Sequence, residues 1–403
     1  MNVVFISPHF PFNFYNFTRA LKDEGYNTIG IGDEPYNQLE NHVKNSMTEY
    51  VYVHSLENYD EVYRAMGYII NKYGRIDYLE SNNEYWLIQD AKLRTDFNIC
   101  SGVKSDEIRF IKYKSEMKAL YEKAKVPTAR YILVDTFEKS LEFAKKVGYP
   151  LFVKPDDGVG ASLSFKIKNE DELKAFHANK YPSQMIMEEY IDGHLVSFDG
   201  LADGNREPVY MTSHVFPNPV AEIVNEKGDC FYYSRKEIPA DLEEAGRKVL
   251  KAFPSQRRYF HLEFFVLKND KEGLGKKGDV IGLEVNMRTP GGPTPDMSNY
   301  AADIDVYRIW ARMLADRPCP YPSTKPKYFV AYCGRRKEHD YEYSLEDIRN
   351  RYGKNIVMER DVAPIIAGAM GDHMIVARFE NREDITPYVK MCLGDYVNAD
   401  SSL

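Results

Sequence analysis

Hydrophobic residues in the first hundred positions follow two alternating patterns. Short apolar runs at 2–7, 27–32, 48–53 and 76–81 are typical of buried strands, whereas the segments 14–26 and 58–74 carry apolar residues at helical spacing. Strands that alternate with helices form parallel sheets through right-handed crossovers. The pattern therefore predicts an N-terminal α/β unit built on a parallel sheet.

The pattern changes near residue 105. Helical periodicity starts at 106 and is broken at Val126-Pro127; after a helix at 136–147, strand patterns dominate. Two of them, 259–268 and 279–288, flank a polar turn and predict an antiparallel hairpin. A proline-rich stretch at 317–327 is typical of a linker. We therefore expect three segments: 1–104 (α/β), 105–320 (α+β), and 321–403, a small α+β segment packed on the second.

The second strand of the hairpin carries an unusual polar face. In GLEVNMRTPGG, residues 282 to 292, the polar residues Glu284, Asn286 and Arg288 occupy every second position. Successive side chains of a strand point to opposite faces, so these three share one face. Both strands also carry runs of apolar residues, in HLEFFVL and VIGLEVNM, which is typical of buried strands, and buried carboxylates need partners.

Register then brings a second carboxylate to the same place. If Leu267 lies opposite Val280, Glu263 lies opposite Glu284. Carboxylates that face each other across a strand pair repel, and a divalent cation between them removes the repulsion. Asn286 adds a neutral oxygen, and such hard ligands suit magnesium held together with phosphates. The sequence therefore predicts a metal site, with a solvated hairpin as the alternative.

Two further side chains are candidates for binding an anion. Lys154 ends an apolar strand before the loop 157–162, whose glycines let backbone amides approach a phosphate. His261 shares the face of Glu263 and is expected to orient that carboxylate or to touch a bound anion. The strand MIMEEYIDG could offer backbone groups to an adenine edge, but by itself it is a strand running into a turn.

Composition and charge exclude several classes. The net charge of −8 and the lack of a basic block argue against nucleic-acid binding. The sequence contains no run of about 18 apolar residues, so no membrane span is expected. The segment MNVVFISPHF is typical of a first strand rather than a signal peptide. The five cysteines form no CxxC motif, which argues against a zinc site and a disulfide framework. We expect a cytoplasmic protein without nucleic-acid or membrane partners.

Taken in order, these segments resemble the ATP-grasp superfamily, and in particular its biotin-carboxylase-like carboxylate–amine ligases. The resemblance is carried by KYKSEMKALYEKAKVPTARY, GYPLFVKPDDGVGAS, MEEYIDG, HLEFF and EVNMR, between about 105 and 320. It implies a Rossmann-like pre-ATP-grasp domain, then an ATP-grasp domain of two α+β subdomains, and a trailing C-terminal segment.

The resemblance also implies roles for individual residues. Arg288 and Lys154 would act in catalysis, with Arg288 steadying the transferred phosphoryl group. An acid that the family places on the ribose is replaced by Leu195, so either Asp199 or His194 substitutes for it or the ribose is held loosely. One or two Mg²⁺ ions, or Mn²⁺, would be bound by Glu263, Glu284 and Asn286. The remaining ATP contacts would be Lys114, Lys154, Gly158, Gly160, Ser162, the adenine hinge Glu188, Glu189, Tyr190 and Ile191, and His261.

The implied activity is that of an ADP-forming ligase. ATP would phosphorylate a small-molecule carboxylate, and an amine would then displace phosphate to form an amide or peptide bond; the substrates are expected to be amino acids or peptides, and a homodimer is possible. The alternatives are a bicarbonate-activating enzyme and a nucleotide-binding protein with a decayed site.

In this superfamily the substrate cleft lies between the first two domains, here near 7–13, 80–86 and 289–296. There Phe10, Phe12 and Trp86 either line a pocket or pack in the core.

Overall fold

A parallel sheet forms the N-terminal part of the computed structural model, which describes residues 1–158, 163–217, 223–224 and 227–394. Its strands are β1 (Asn2–Ile6), β2 (Asn27–Gly32), β3 (Glu49–Tyr52) and β4 (Tyr78–Glu80). The order β3-β2-β1-β4 means that the chain crosses to the other side of β1 to form β4. Helices α1 (Tyr15–Asp23), α2 (Asn41–Asn45), α3 (Tyr59–Tyr73) and α4 (Leu87–Asp96) accompany the sheet, with a 3-10 turn at Glu84–Trp86. The predicted parallel sheet is confirmed.

A small antiparallel sheet follows two helices, α5 (Arg109–Lys112) and α6 (Lys114–Ala124). Its elements are β5 (Tyr131–Leu133), α7 (Phe137–Val147), β6 (Leu151–Pro155), β7 (Phe165–Ile167), α8 (Glu170–His177) and β8 (Met185–Glu189), and its strand order is β5-β8-β6-β7. Apolar residues of α7 and α8 pack against β6 and β8 and form the core of this unit.

A larger antiparallel sheet contains the rest of the described strands. These are β9 (Gly193–Ala202), β10 (Pro208–Thr212), β11 (His214–Phe216), β12 (Cys230–Ser234), β13 (Arg258–Leu267), β14 (Val280–Asn286), β15 (Phe329–Arg335), β16 (Ile356–Asp361) and β17 (His373–Phe379). The order is β14-β13-β9-β11-β12-β15-β17-β16, with β10 also paired to β9. The strands that follow the proline-rich stretch therefore extend the same sheet that contains the polar hairpin.

Six helices accompany this sheet in the described part of the chain: α9 (Ala240–Ala252), α10 (Thr294–Ala302), α11 (Val306–Met313), α12 (Leu345–Tyr352), α13 (Pro364–Met370) and α14 (Ile385–Leu393), with a 3-10 turn at Arg382–Asp384. The mixed architecture confirms the predicted fold class. No helix within the described ranges has the length and apolar character needed to cross a membrane.

The helical periodicity that begins at 106 forms two helices rather than one. Tyr113 separates them in an extended conformation, and the backbone N–H of Lys114 donates to the Asp156 carbonyl at 2.9 Å. The carboxylate of Asp156 accepts a further hydrogen bond from the Ser115 N–H at 2.7 Å. An acceptor from the loop after β6 therefore fixes the first turn of α6, where donors have no partner within the helix.

Helix α6 lies unusually close to the polar hairpin. Gly282 of β14 donates its N–H to the carbonyl of Pro127, 2.8 Å away. A Cβ atom at this glycine would lie 2.3 Å from the ring of Tyr121 on α6, which is closer than any carbon contact allows. A residue without a side chain is therefore what lets α6 reach the hairpin.

The N-terminal sheet is joined to the rest of the molecule by packing and by charge. Phe17 of α1 lies edge-on to Tyr307 and Trp310 of α11, with ring centroids 4.8 and 5.0 Å apart. At the end of α1, Glu24 accepts from Arg308 at 2.6 Å and from Arg312 at 2.9 Å. These contacts fix the parallel sheet beside the loop that follows β14.

Candidate active site

Two carboxylates face each other in the hairpin formed by β13 and β14. Glu263 lies directly opposite Glu284, so this prediction is confirmed. The register assumed near the turn is wrong, because Val280 pairs with Val266, one residue before the expected partner. A bulge restores the predicted register, with Leu283 as the extra residue. Irregular pairing thus still places both acids on one side of the sheet.

The donor atoms at this place suit a hard divalent cation. The side chains of Glu284 and Glu263 are 22% and 19% exposed, and Asn286 is buried two residues further along β14. The described residues contain no group of three or more His, Cys, Asp or Glu side chains that could hold a metal ion. Two carboxylates and one amide oxygen form an incomplete shell, which is the arrangement expected where phosphate oxygens complete the coordination of Mg²⁺.

A buried network fixes the Glu263 carboxylate from behind. His261 contacts Glu263 Oε1 through Nε2 at 3.2 Å and Asp199 Oδ1 through Nδ1 at 2.6 Å. Burial alone would lower the pKa of His261, but the charge and hydrogen bond of Asp199 outweigh it and raise that pKa to about 9. An imidazole between two carboxylates is therefore protonated near neutral pH and donates to both.

Asp199 is buried within this network, which is not the position expected of a side chain that contacts a ribose. Both of its oxygens are engaged, since His214 Nδ1 lies 2.7 Å from Oδ2 and Ser197 also donates to that atom. Asp199 is only 1% exposed and pairs with His261 across β9 and β13. Leu195 is likewise buried within β9. Asp199 is thus positioned to hold His261 and is not presented to a nucleotide.

Three lysines converge on the same region from α6 and β6. Lys154 Nζ lies 2.9 Å and Lys118 Nζ 2.5 Å from the carboxylate of Glu188. Lys114 lies 3.8 Å from Glu284 and donates to the carbonyl of Gly158 at 3.1 Å. Burial raises the pKa of Glu188, but Lys118 and Lys154 outweigh it and lower that pKa to about 2. The single negative charge of Glu188 balances only one of the two lysine charges, so a net positive charge remains that can bind an anion.

Lys118 did not emerge from sequence reasoning, although a signal was available. It follows Lys114 by four residues, so the two side chains lie on the same face of α6. Both are buried, at about the level of Lys154. Burial penalises the charged form and lowers the pKa of Lys118 despite Glu188. Lys118 is therefore a candidate phosphate contact beside the two predicted ones.

The predicted adenine hinge contains side chains that point in opposite directions. Glu188 faces the lysines, whereas Glu189, the next residue on β8, is fully buried on the other side and binds Arg130 at 2.6 Å. Tyr190 lies under the amine of Lys166, 3.9 Å from its ring centroid. Ile191 joins a small apolar cluster, and its backbone N–H has no acceptor among the described residues. Backbone groups and Glu188 thus remain available at this turn, but the Glu189 side chain does not.

Arg288 lies at the end of the polar face and is held by three acceptors. Its Nε donates to Glu84 at 3.1 Å, Nη2 to Asn286 Oδ1 at 3.1 Å, and Nη1 to the carbonyl of Thr289 at 2.7 Å. Glu84 also accepts from Lys112 at 3.1 Å. Neither Glu84 nor Lys112 was singled out from the sequence, because the contact of Glu84 with Arg288, which brings Lys112 to the site, joins segments 204 residues apart.

The glycine-containing loop is described only in part. Gly158 is described, and its carbonyl accepts the hydrogen bond from Lys114. The predicted contacts Gly160 and Ser162 lie outside the described residues, as does most of the loop 157–162. The loop therefore remains a prediction from sequence.

The three segments expected to form the substrate cleft do meet. Asn13, after β1, donates to the carbonyl of Gly292 at 3.3 Å and to Asp296 at 2.7 Å. Thr289 donates to the carbonyl of Asn82, after β4, at 3.1 Å. The carboxyl ends of β1 and β4 flank the point where the strand order reverses, which is where open α/β sheets bind ligands. The loop that carries Arg288 closes this crevice.

The aromatic residues proposed for the cleft are largely engaged in packing. Phe12 contacts the core cluster around Tyr232 and lies 3.8 Å from the guanidinium of Arg360. Trp86 packs partly against the core of the parallel sheet. For these two the packing alternative is favoured, while Phe10 is half-buried at the start of the cleft.

Comparison with known proteins identifies the central part of the chain. Residues 112–291 match the family of ATP-grasp domains. The chain is 25% identical over 248 residues to the L-arginine-specific L-amino acid ligase of Bacillus subtilis, covering 59% of this chain and 57% of that enzyme. It is 26% identical over 185 residues to the mitochondrial carbamoyl-phosphate synthase of Rattus norvegicus, covering 43% of this chain but 11% of that protein.

A solved structure shows the same fold along nearly the whole chain. The L-amino acid ligase from Bacillus licheniformis superposes with a TM-score of 0.72 over 96% of both chains, at 15% sequence identity. The superposition confirms the fold, and the family resemblance found in the sequence is supported by the ATP-grasp match over residues 112–291. The chain spans little more than half of one relative and about a tenth of the other, so its activity is inferred from the site.

Proposed function

Because residues 112–291 match the family of ATP-grasp domains, we propose that this chain is an ATP-dependent carboxylate–amine ligase. It would activate a substrate carboxylate as an acyl phosphate, join it to an amine, and release ADP and phosphate. The observation that carries the proposal is the facing pair of Glu263 and Glu284, bordered by Lys114 on one side and Arg288 on the other. Anionic ligands for a metal and cations for phosphates are thus adjacent.

The cationic side of the site would bind the nucleotide. Lys114, Lys118 and Lys154 are buried, and such amines bind phosphate oxygens more strongly than exposed ones because water screens them less. Glu188 would hold Lys118 and Lys154 in place and, with the free N–H of Ile191, meet the adenine. Mg²⁺ bound by Glu263, Glu284 and Asn286 would neutralise charge on the transferred phosphoryl group.

Arg288 would act at the reacting carboxylate. A guanidinium has five N–H donors, and three of those of Arg288 are occupied by protein acceptors. One donor on each Nη remains, so the side chain can present a fixed pair to oxygens of the acyl phosphate. Preorganised donors of this kind lower the barrier because they do not have to reorient during the reaction.

The proposed substrates are amino acids or peptides. The named activity of the Bacillus subtilis relative is ligation of L-amino acids, and the segments that meet beside Arg288 carry polar groups, namely the side chains of Asn13 and Asp296 and the backbone carbonyl of Asn82. Such groups suit a small polar molecule. A homodimer is proposed on the resemblance alone, as is the use of Mn²⁺ in place of Mg²⁺.

The test is a panel of acids with ATP, Mg²⁺ and hydroxylamine. An activated carboxylate is captured as the hydroxamate, and the expected products are hydroxamate, ADP and phosphate in equal amounts. Amine acceptors are then tested in pairs with each active acid. Release of AMP, or no acid-dependent turnover across the twenty standard amino acids and a broad set of other acids, overturns the proposal. Turnover that depends on bicarbonate alone would indicate the carboxylase-like alternative.

A further inference from the structure

Glu84 links the N-terminal parallel sheet to Arg288. It lies in the 3-10 turn that follows β4, and its carboxylate is 13% exposed. One oxygen contacts Arg288 Nε and the other contacts Lys112 Nζ, each at 3.1 Å. Burial would raise the pKa of Glu84, but Arg288 and Lys112 outweigh it and hold that pKa below its ordinary value. The carboxylate is therefore ionised and holds two cations.

The contact with Nε differs from the other two contacts of Arg288. Asn286 and the Thr289 carbonyl belong to the same strand and loop as Arg288, so they move with it. Glu84 belongs to a different part of the chain, 204 residues away in sequence. It is also the one charged acceptor of the three, and charge-assisted hydrogen bonds are the stronger kind. The orientation of the guanidinium thus depends on the position of the parallel sheet.

We propose that Glu84 is a positioning residue that orients Arg288 toward the substrate carboxylate only when the N-terminal sheet is docked beside the hairpin. The proposal rests on the ligase function proposed above. Glu84 does not touch the reacting atoms; it fixes Nε so that one donor on each Nη faces the crevice. Substrate recognition by the N-terminal segments and phosphoryl stabilisation by the hairpin are thereby coupled through one carboxylate.

The test is a double-mutant cycle on the full-length protein. Glu84→Gln keeps the shape of the side chain and removes its charge. Arg288→Lys keeps the positive charge and removes the guanidinium group with its paired donors. We expect Glu84→Gln to lower kcat about 30-fold with little change in the KM for ATP, because it misplaces a group used in the transition state. In the Arg288→Lys background the same change should lower kcat less than about 3-fold.

Glu24→Gln is the matched control. The side chain of Glu24, which is 6% exposed, is also a carboxylate at the contact of the parallel sheet with the rest of the chain, where it binds Arg308, Arg312 and Arg317. It lies outside the site, so a loss caused by weaker docking or lower stability appears in this variant too. Equal losses of kcat in Glu24→Gln and Glu84→Gln, or a loss for Glu84→Gln that is unchanged in the Arg288→Lys background, would overturn the proposal.

A second measurement determines the orientation of the Arg288 guanidinium directly and does not depend on turnover. Crystal structures of the parent and of Glu84→Gln should differ in the orientation of the Arg288 guanidinium, and an unchanged orientation contradicts the proposal. A parent protein that lacks acid-dependent turnover would instead overturn the ligase function. The two failures are therefore distinguishable.

Discussion

His261 donates to Asp199 across the β9–β13 pair, with 2.6 Å between Nδ1 and Oδ1. The folded protein thereby raises the pKa of His261 from 6.5 to about 9. The contact therefore stabilises the fold fully below pH 6.5. This stabilisation is lost as the pH rises through 9, because between the two pKa values the folded protein binds the proton and the unfolded chain does not. In metal-free buffer, the parent should lose about 3 kcal/mol more unfolding free energy than His261→Gln between pH 6 and 9.5, by denaturant titration. Parallel pH curves would contradict this.

The facing carboxylates predict that Glu284→Gln changes stability mainly when metal and nucleotide are present. Without Mg²⁺ and nucleotide, the change removes like-charge repulsion with Glu263 but also the attraction of Lys114, 3.8 Å away, so Tm should change little. With Mg²⁺ and ADP, the parent should gain stability that the variant lacks, and acid-dependent turnover of the variant should fall about 100-fold. Glu272→Gln, in the exposed turn of the same hairpin, is the control. Equal stabilisation of parent and variant by Mg²⁺ and ADP would refute the metal site.

Lys118→Met tests the phosphate contact that the sequence reasoning overlooked. The change removes a buried cation and keeps the length of the side chain, so the affinity for ADP should fall about 10-fold, as measured by calorimetry. Lys154 remains to neutralise Glu188, which limits the loss of stability. Lys123→Met, exposed on the same helix, should leave ADP binding unchanged. If both variants bind ADP like the parent, Lys118 is not a nucleotide contact.

Arg130→Met distinguishes a structural role of Glu189 from a role in binding. Glu189 is fully buried and depends on Arg130 for charge and hydrogen bonds, with Lys271 more distant at 3.6 Å. The Arg130 side chain is itself 34% exposed, so removing it, which takes away the nearest cation and side-chain donors of buried Glu189, should cost about 2 kcal/mol of unfolding free energy. Below the melting temperature, ADP affinity should stay within a factor of about 3 of the parent value. A large loss of affinity with unchanged stability would restore Glu189 to the adenine site.

The polar face of β14 was predictable because strand alternation is a local rule. It placed Glu284, Asn286 and Arg288 together, and the structure does so as well. The same rule also separates Glu188 from Glu189, and applying it there would have removed Glu189 from the expected adenine contacts. The bulge at Leu283 also had a local signal that the sequence interpretation did not use, because Gly282 precedes it and a glycine inside a strand often marks a bulge.

Contacts between distant segments lay beyond the sequence. The meeting of Glu84 with Arg288, and of Asp199 with two histidines, depends on how the parallel sheet and the strands of the large sheet pack. The ordered motifs gave the family and the central domain, because backbone conformation and charge are encoded near each motif. The contacts that hold each candidate side chain in place depend on tertiary packing.

Gly282 has a consequence that reaches from one residue to the whole site. The helix with Lys114 and Lys118 and the strand with Glu284 approach each other where the ring of Tyr121 covers this glycine. Even one added methyl group would push the ring, and with it the helix, away from the strand. The distance between the lysine amines and the acidic pair therefore depends on the lack of a side chain at Gly282. Adding as little as a methyl group there can change the geometry of the site without removing any charge.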